Sequence, residues 1–132
     1  MTQELIDQVV KAASQEASTQ GVLVTITIVD TGGHIRAVLR QKDCSYFALE
    51  SSRQKAVTSS QLRLPSHVIG EIAQKFPLLQ ASFTTNPVIS GLPGGFPIVC
   101  GNEVVGGLGI AGGNFEQDQS IGSKALANLQ AN

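Results

Sequence analysis

The chain has no tryptophan, one tyrosine and five phenylalanines, so aromatic residues fill only 5% of its 132 positions. That scarcity excludes a base-stacking platform and a broad aromatic interface. Charge is also sparse, at 14% of residues with a formal net charge of -1, which argues against a nucleic-acid binder driven by bulk electrostatics. Two cysteines, Cys44 and Cys100, are too few for a disulfide scaffold and suit a reducing compartment. The opening residues Met1-Thr2-Gln3-Glu4 lack the basic and apolar regions of a signal peptide. No apolar run approaches the ~20 residues that a membrane span needs. Hydrophobic residues nevertheless make up 42% of the chain, enough for a folded core. The expectation is one cytoplasmic domain over residues 1–132, with neither nucleic acid nor membrane as partner.

What is present is unevenly spread. Nine of the 14 glycines lie between Gly91 and Gly113. Six of the nine basic residues (Arg36, Arg40, Lys42, Arg53, Lys55, Arg63) fall between positions 36 and 63, against Asp43 and Glu50 alone. That stretch carries +4 and the remainder -5, a local excess that suits an anionic ligand or a solvated face.

Leu5, Ile6, Val9, Val10, Ala13 and Ala17 recur at helical spacing between Thr2, a candidate N-cap, and Gly21, a stop. Val22 to Asp30 is nearly all β-branched and reads as a strand covered on both faces. Thr31-Gly32-Gly33 turns it into a second strand around Ile35, Ala37 and Leu39, making a hairpin. From Tyr46 to about Leu62 the period becomes helical, with Ala48, Ser52, Ala56 and Ser59 or Ser60 forming a row of small residues beside Lys55. Pro65 and Ser66 open another helix ending at Phe76-Pro77, while Leu78 to Phe83 suits either a helical turn or a loop. Phe96 to Cys100 and Glu103 to Ala111 form a second hairpin about Gly101-Asn102. Its last strand puts Val105, Gly107, Gly109 and Ala111 on one flat face, where a backbone or a ligand must come close. Asn114 and Gln117 resemble a capping box for a final helix along Ile121, Ala125 and Leu129. Two hairpins and several helices imply an α+β fold, with helices covering an antiparallel sheet.

Gly107, Gly109 and Gly112 spell G-x-G-x-x-G, but only one helix follows, so the parallel strand and ribose-binding acid of a dinucleotide site are missing. Lys55 lies on the small-residue face expected to meet the sheet. An ammonium there needs a carboxylate such as Asp30 or Asp118, or else a bound anion. His34, in a turn, and His67, in the first turn of a helix, are the only histidines; their spacing suits no zinc site, and either is a candidate axial haem ligand. Ser90 lacks the first glycine of a nucleophile elbow, and no acid–base pair or nucleophile constellation is visible, so no catalytic residue is assigned.

Five segments, in order along nearly the whole chain, resemble the GlcG/HbpS family, also called the haem-degrading or PduO C-terminal-like domain. They are Val29-Asp30-Thr31-Gly32-Gly33 with Arg40, Lys55-Ala56-Val57-Thr58-Ser59, Gly94-Gly95-Phe96-Pro97-Ile98, Gly106 through Gly112, and Glu116-Gln117-Asp118. Arg40-Gln41-Lys42-Asp43-Cys44 departs from the family's Arg-Met-Asp-Gly-Ala. The resemblance implies a profilin-like antiparallel sheet of five strands flanked by helices, assembled as a homo-oligomer. It also implies binding of haem or a related tetrapyrrole or corrinoid, in some members with slow haem breakdown, and service beside a catabolic enzyme. Together with the flat glycine face and the basic stretch, it makes Arg40, Lys55, Gly94, Gly95, Gly107 and Gly109 the candidate ligand-binding residues. The alternative is an oligomeric accessory protein that stabilises or regulates a partner enzyme and binds no cofactor.

Overall fold

The structure, a computed structural model, describes residues 1–130; the last two positions of the expected 1–132 domain lie outside the described residues. Helix α1 (Gln3–Thr19) starts where the Thr2 hydroxyl accepts from the Leu5 amide and buries Ile6, Val9, Ala13 and Ala17 as one stripe. Gly21, at φ +69°, closes it, and the Val22 amide returns to the Ala17 carbonyl. That closure holds Val22 and Leu23 outside the sheet, so β1 (Thr25–Asp30) is shorter than the β-branched run suggests. Strand β2 (Ile35–Arg40) completes the first hairpin. Helix α2 (Tyr46–Leu62) begins at a Ser45 cap, and α3 (Ser66–Lys75) follows. Residues 77–84 resolve as a helix, α4 (Pro77–Thr84), with proline in its first turn. Strands β3 (Gly95–Cys100) and β4 (Glu103–Ala111) form the second hairpin. Before α5 (Phe115–Gln130), Asn114 Oδ1 accepts from the Gln117 amide and Gln117 Oε1 from the Asn114 amide, the reciprocal capping box the sequence suggests.

The strands pair antiparallel in the order β2-β1-β4-β3, which bears out the α+β class. The count is four among the described residues, not five. The segment from Thr85 to Gly94, which leads into the second hairpin, is tied down by side chains instead of by a ladder. The Thr58 hydroxyl accepts from the Ser90 amide, and the Ser66 hydroxyl donates to the Leu92 carbonyl and accepts from the Gly95 amide. Pro97 is tolerated in β3 because that strand is an edge.

Each face of the sheet carries helices. Ile26, Ile28, Ile98, Leu108 and Ile110 meet α1 and α5 in a continuous apolar core. The other face presents Thr25, Thr27, Val29, Gly95, Gly107 and Gly109 to α2, whose Ser52, Lys55, Ala56, Thr58 and Ser59 are buried against it. No helix among the described residues is long and apolar enough to cross a membrane.

Candidate functional site

The flat glycine face is filled by the chain itself. A Cβ on Gly109 would overlap the Ser52 carbonyl oxygen, and one on Gly107 the Ala56 carbonyl oxygen. A Cβ on Gly95 would meet the Lys55 carbonyl at 2.5 Å. These three glycines therefore let the α2 backbone lie directly on the sheet, leaving no space there for a ligand. Of the backbone or ligand that the pattern calls for, it is the α2 backbone that comes close at these three positions.

Lys55 leaves α2 at the edge of this packing and is 1% exposed. Its Nζ donates to the Ile110 carbonyl at 2.8 Å and to Asp118 Oδ2 at 3.2 Å, and Asp118 Oδ1 accepts from the Gly113 amide at 2.9 Å. Of the two carboxylates the sequence offers Lys55, Asp118 is the partner. Burial pushes the Lys55 ammonium below its ordinary value and the Asp118 carboxyl above its own, each shift opposed by the other charge. Gly94, at φ +126°, roofs the pair; a Cβ there would sit 3.1 Å from both Lys55 Nζ and Asp118 Cβ. Closer still, that Cβ would meet the Ile110 carbonyl oxygen at 2.5 Å, so glycine at this position lets the chain lie against β4 as well as over the charged pair.

Asp30 instead closes the β1–β2 turn. Its Oδ1 accepts from the Gly32 and His34 amides and lies 3.3 Å from His34 Nδ1. The His34 amide, seconded by that of Gly32 and by the imidazole, holds the Asp30 carboxyl below its ordinary value. His34 itself is exposed. His67 lies elsewhere, against Phe96 with ring centroids 6.0 Å apart, and its buried Nδ1 has no partner among the described residues. Arg40, exposed on β2, donates to the Cys44 carbonyl at 2.7 Å and so fixes the 41–45 turn.

The Lys55–Asp118 pair instead borders a cleft of about 140 Å³ at the end of the sheet where α2 and α5 begin. Lys55, Asp118 and Ser51 stand in its wall, with Phe47 and Phe115 at its sides. Through Ser45, Gly112 and Gly113 it joins a wider surface groove of about 630 Å³ that also takes in Leu23, Asp43 and Cys44. A groove of about 340 Å³ between α1 and α5 has no comparable charged pair in its lining. Of the candidate residues, Lys55 lines the cleft, Gly94 lies against the Lys55–Asp118 pair without lining the cleft, and Arg40 meets the groove through its bond to the Cys44 carbonyl. Neither histidine lines cleft or groove, and no group of three or more His, Cys, Asp or Glu among the described residues could hold a metal ion. Ser51 was missed by sequence reasoning. The signal was its place one helical turn before Lys55, on the same face of α2.

Fold and site define a small α+β domain with a cleft where two helix N-termini meet the sheet. A family model described as haem degrading protein HbpS-like matches residues 1–127, and the chain belongs to that family. Protein GlcG of Escherichia coli (strain K12) is 29% identical over 111 residues, covering 84% of this chain and 81% of GlcG. The crystal structure of the Klebsiella pneumoniae protein ORFY superposes with a TM-score of 0.91 at 28% identity, covering 100% of this chain and 92% of that one. The crystal structure of a PduOC:haem complex superposes with a TM-score of 0.86 at 27% identity, covering 96% of this chain and 93% of that one.

Proposed function

We propose that this protein binds a planar tetrapyrrole, haem foremost, on the face that carries the cleft and groove, and that it does so as a homo-oligomer. The observation that carries the reading is the match, over nearly the whole chain, to a relative solved with haem bound. The groove of about 630 Å³ lies within the range of cofactor sites, and the exposed rings of Phe47 and Phe115 line the cleft that adjoins it. Arg40, bonded to the Cys44 carbonyl, puts a positive charge beside the groove, while Asp43 in its lining puts a negative one there.

The donor set fits the macrocycle but not its iron within one chain. His34 lies at the far end of β1, roughly 17 Å of strand from Thr25, the residue paired with Ala111 in the cleft wall. Its ring is 82% exposed, and Asp30 takes up Nδ1, leaving Nε2 as the donor, the carboxylate–histidine arrangement common among metal ligands. A haem seated in the groove and ligated by His34 therefore draws on two copies of the chain. Assembly is also favoured by edge strand β2, whose Ile35, Val38 and Leu39 are exposed. Bound haem would supply an iron centre; the chain's own share is to seat the ring and to present His34 from a neighbour.

The cofactor-free accessory protein is the second reading, favoured by the lack of a histidine at the groove. Titrating haemin while following sedimentation separates the two. A stoichiometric Soret band travelling with an oligomer, weakened by His34→Ala, is the expected result. An oligomer with no saturable Soret band selects the second reading, and a haem-free monomer sinks both.

A further inference from the structure

Lys55 is buried yet not saturated. An ammonium has three donors, and the described residues use two of them, toward Ile110 and Asp118, while the side chain also lines the cleft. Ser51, one helical turn earlier, is 4% exposed and lines the same cleft, and its hydroxyl has no hydrogen-bond partner among the described residues. Its neighbour Ser52, by contrast, is committed to Thr27 and to the Leu49 carbonyl. Two nearly buried donors thus share a space of about 140 Å³, room for about four or five waters at ~30 Å³ each.

The Asp118 carboxylate does not close this space to an anion. Oδ2 is turned to Lys55 and Oδ1 to the Gly113 amide, so both oxygens are engaged. The first turns of α2 and α5 also border the cleft at Phe47 and Phe115, and the positive ends of both helices offset the acidic charge.

We infer that the cleft is a carboxylate subsite in which the Lys55 ammonium and the Ser51 hydroxyl bind one carboxylate group, with Phe47 and Phe115 flanking the short chain that bears it. Two sources share this chemistry: a free small monocarboxylic acid, or a propionate arm of a tetrapyrrole lying in the adjoining groove. The carboxylate would accept the donor that Lys55 has left over, making the buried lysine the centre of two acidic partners. The inference stands on the cleft alone, whether or not the chain takes a tetrapyrrole.

The test is a titration of the isotope-labelled full chain with sodium propionate, read at the amides of Ser51, Lys55, Gly112 and Gly113, with methyl propionate and sodium chloride as controls. Saturable shifts from propionate alone are expected. Ser51→Ala should weaken them about tenfold, as for a lost hydrogen bond to a charged group, while its melting temperature stays that of the parent. Lys55→Met is avoided as the primary variant because it breaks the buried pair. Haemin then distinguishes the sources: displacement of propionate by haemin, but not by its dimethyl ester, assigns the arm to a tetrapyrrole. Propionate binding that haemin leaves untouched assigns it to a free acid. No shift at these amides from either compound, or shifts equal in parent and Ser51→Ala, overturns the proposal. A Soret band without such shifts would leave the tetrapyrrole reading standing while this one fails.

Discussion

The two faces of the sheet bury their helices by opposite means. Toward α1 and α5 the strands offer Ile26, Ile28, Ile98, Leu108 and Ile110, and the interface is ordinary interdigitated hydrocarbon. Toward α2 they offer glycine and threonine with Val29, so the helix backbone rests almost on the strand backbone. Little apolar area is available there, and hydroxyls do part of the joining: Thr27 with Ser52 at 2.7 Å, and Ser60 with the Asp30 carbonyl at 2.7 Å. The apolar face tolerates approximate fit because side chains can adjust. The glycine face cannot, because backbone meets backbone, and it leaves Thr25 Oγ1 and Ser59 Oγ without partners among the described residues. What that arrangement achieves is position: it brings Lys55 under the sheet's end and opens a polar cleft where α2 begins. The candidate site is thus a by-product of the less forgiving face.

The largest expected break is at the charged rim of that face. Lys55→Met leaves the Asp118 carboxylate buried without its counter-charge, and breaking such a pair costs about 3–5 kcal/mol. Adding Asp118→Asn should restore part of the loss, because no uncompensated charge then remains. The single variant also has a pH signature with a definite sign. Its buried carboxyl has a folded-state pKa above the unfolded value, so the penalty is present above that folded value and relieved as pH falls through it. Urea midpoints of parent, single and double variants across acidic pH decide this. A single variant as stable as the parent at neutral pH would mean that the pair contributes nothing to the fold.

A second comparison sets one added carbon against one removed. Gly109→Ala puts a methyl group into the Ser52 carbonyl and should cost about 3 kcal/mol, the upper end for overpacking, because β4 or α2 must shift. Ile110→Val, the next residue but on the apolar face, should cost only about 1 kcal/mol. Chemical denaturation of the two variants provides the check. Equal losses would mean that the glycine face can relax after all.

This contrast also explains what the sequence made legible. Spacing marked α1, both hairpins, the small-residue row of α2 and the capping box of α5, because each is a local pattern of period or cap. Helix α4 stayed undecided because none of its residues is buried, so no stripe marks a covered face. The glycines of β4 announced a close approach, with helix–sheet packing as the favoured reading, and the position of α2 shows which helix makes it. Choosing Asp118 over Asp30 for Lys55 was beyond local reasoning, since the partners lie 63 residues apart and meet through the packing of α2 against the β4–α5 junction. The fifth strand came from family resemblance alone, and the two hairpins read from the residues already gave four.

The smallest effect belongs to the β1–β2 turn, the counterweight to the buried pair because its charges are solvated. Asp30 accepts from two backbone amides and faces the His34 imidazole, and these contacts hold its carboxyl below its ordinary value of 3.8. A carboxylate depressed in the folded state contributes stability that is fully present above the unfolded value and is lost as pH falls through the folded one. Asp30→Asn keeps an oxygen able to accept from the Gly32 and His34 amides but removes the charge. The variant should therefore be slightly less stable than the parent at neutral pH, and the two should converge as the solution is acidified from about pH 6 to about pH 2. Lys55→Met, for which acid relieves a buried charge, should likewise narrow its gap to the parent, but from a much larger initial deficit. Exposure makes the difference: solvent screens a turn carboxylate far more than Asp118, which is only 2% exposed. Thermal melts of the three proteins over that range rank the two acids, and an Asp30→Asn deficit as large as that of Lys55→Met would show that burial is not what separates them.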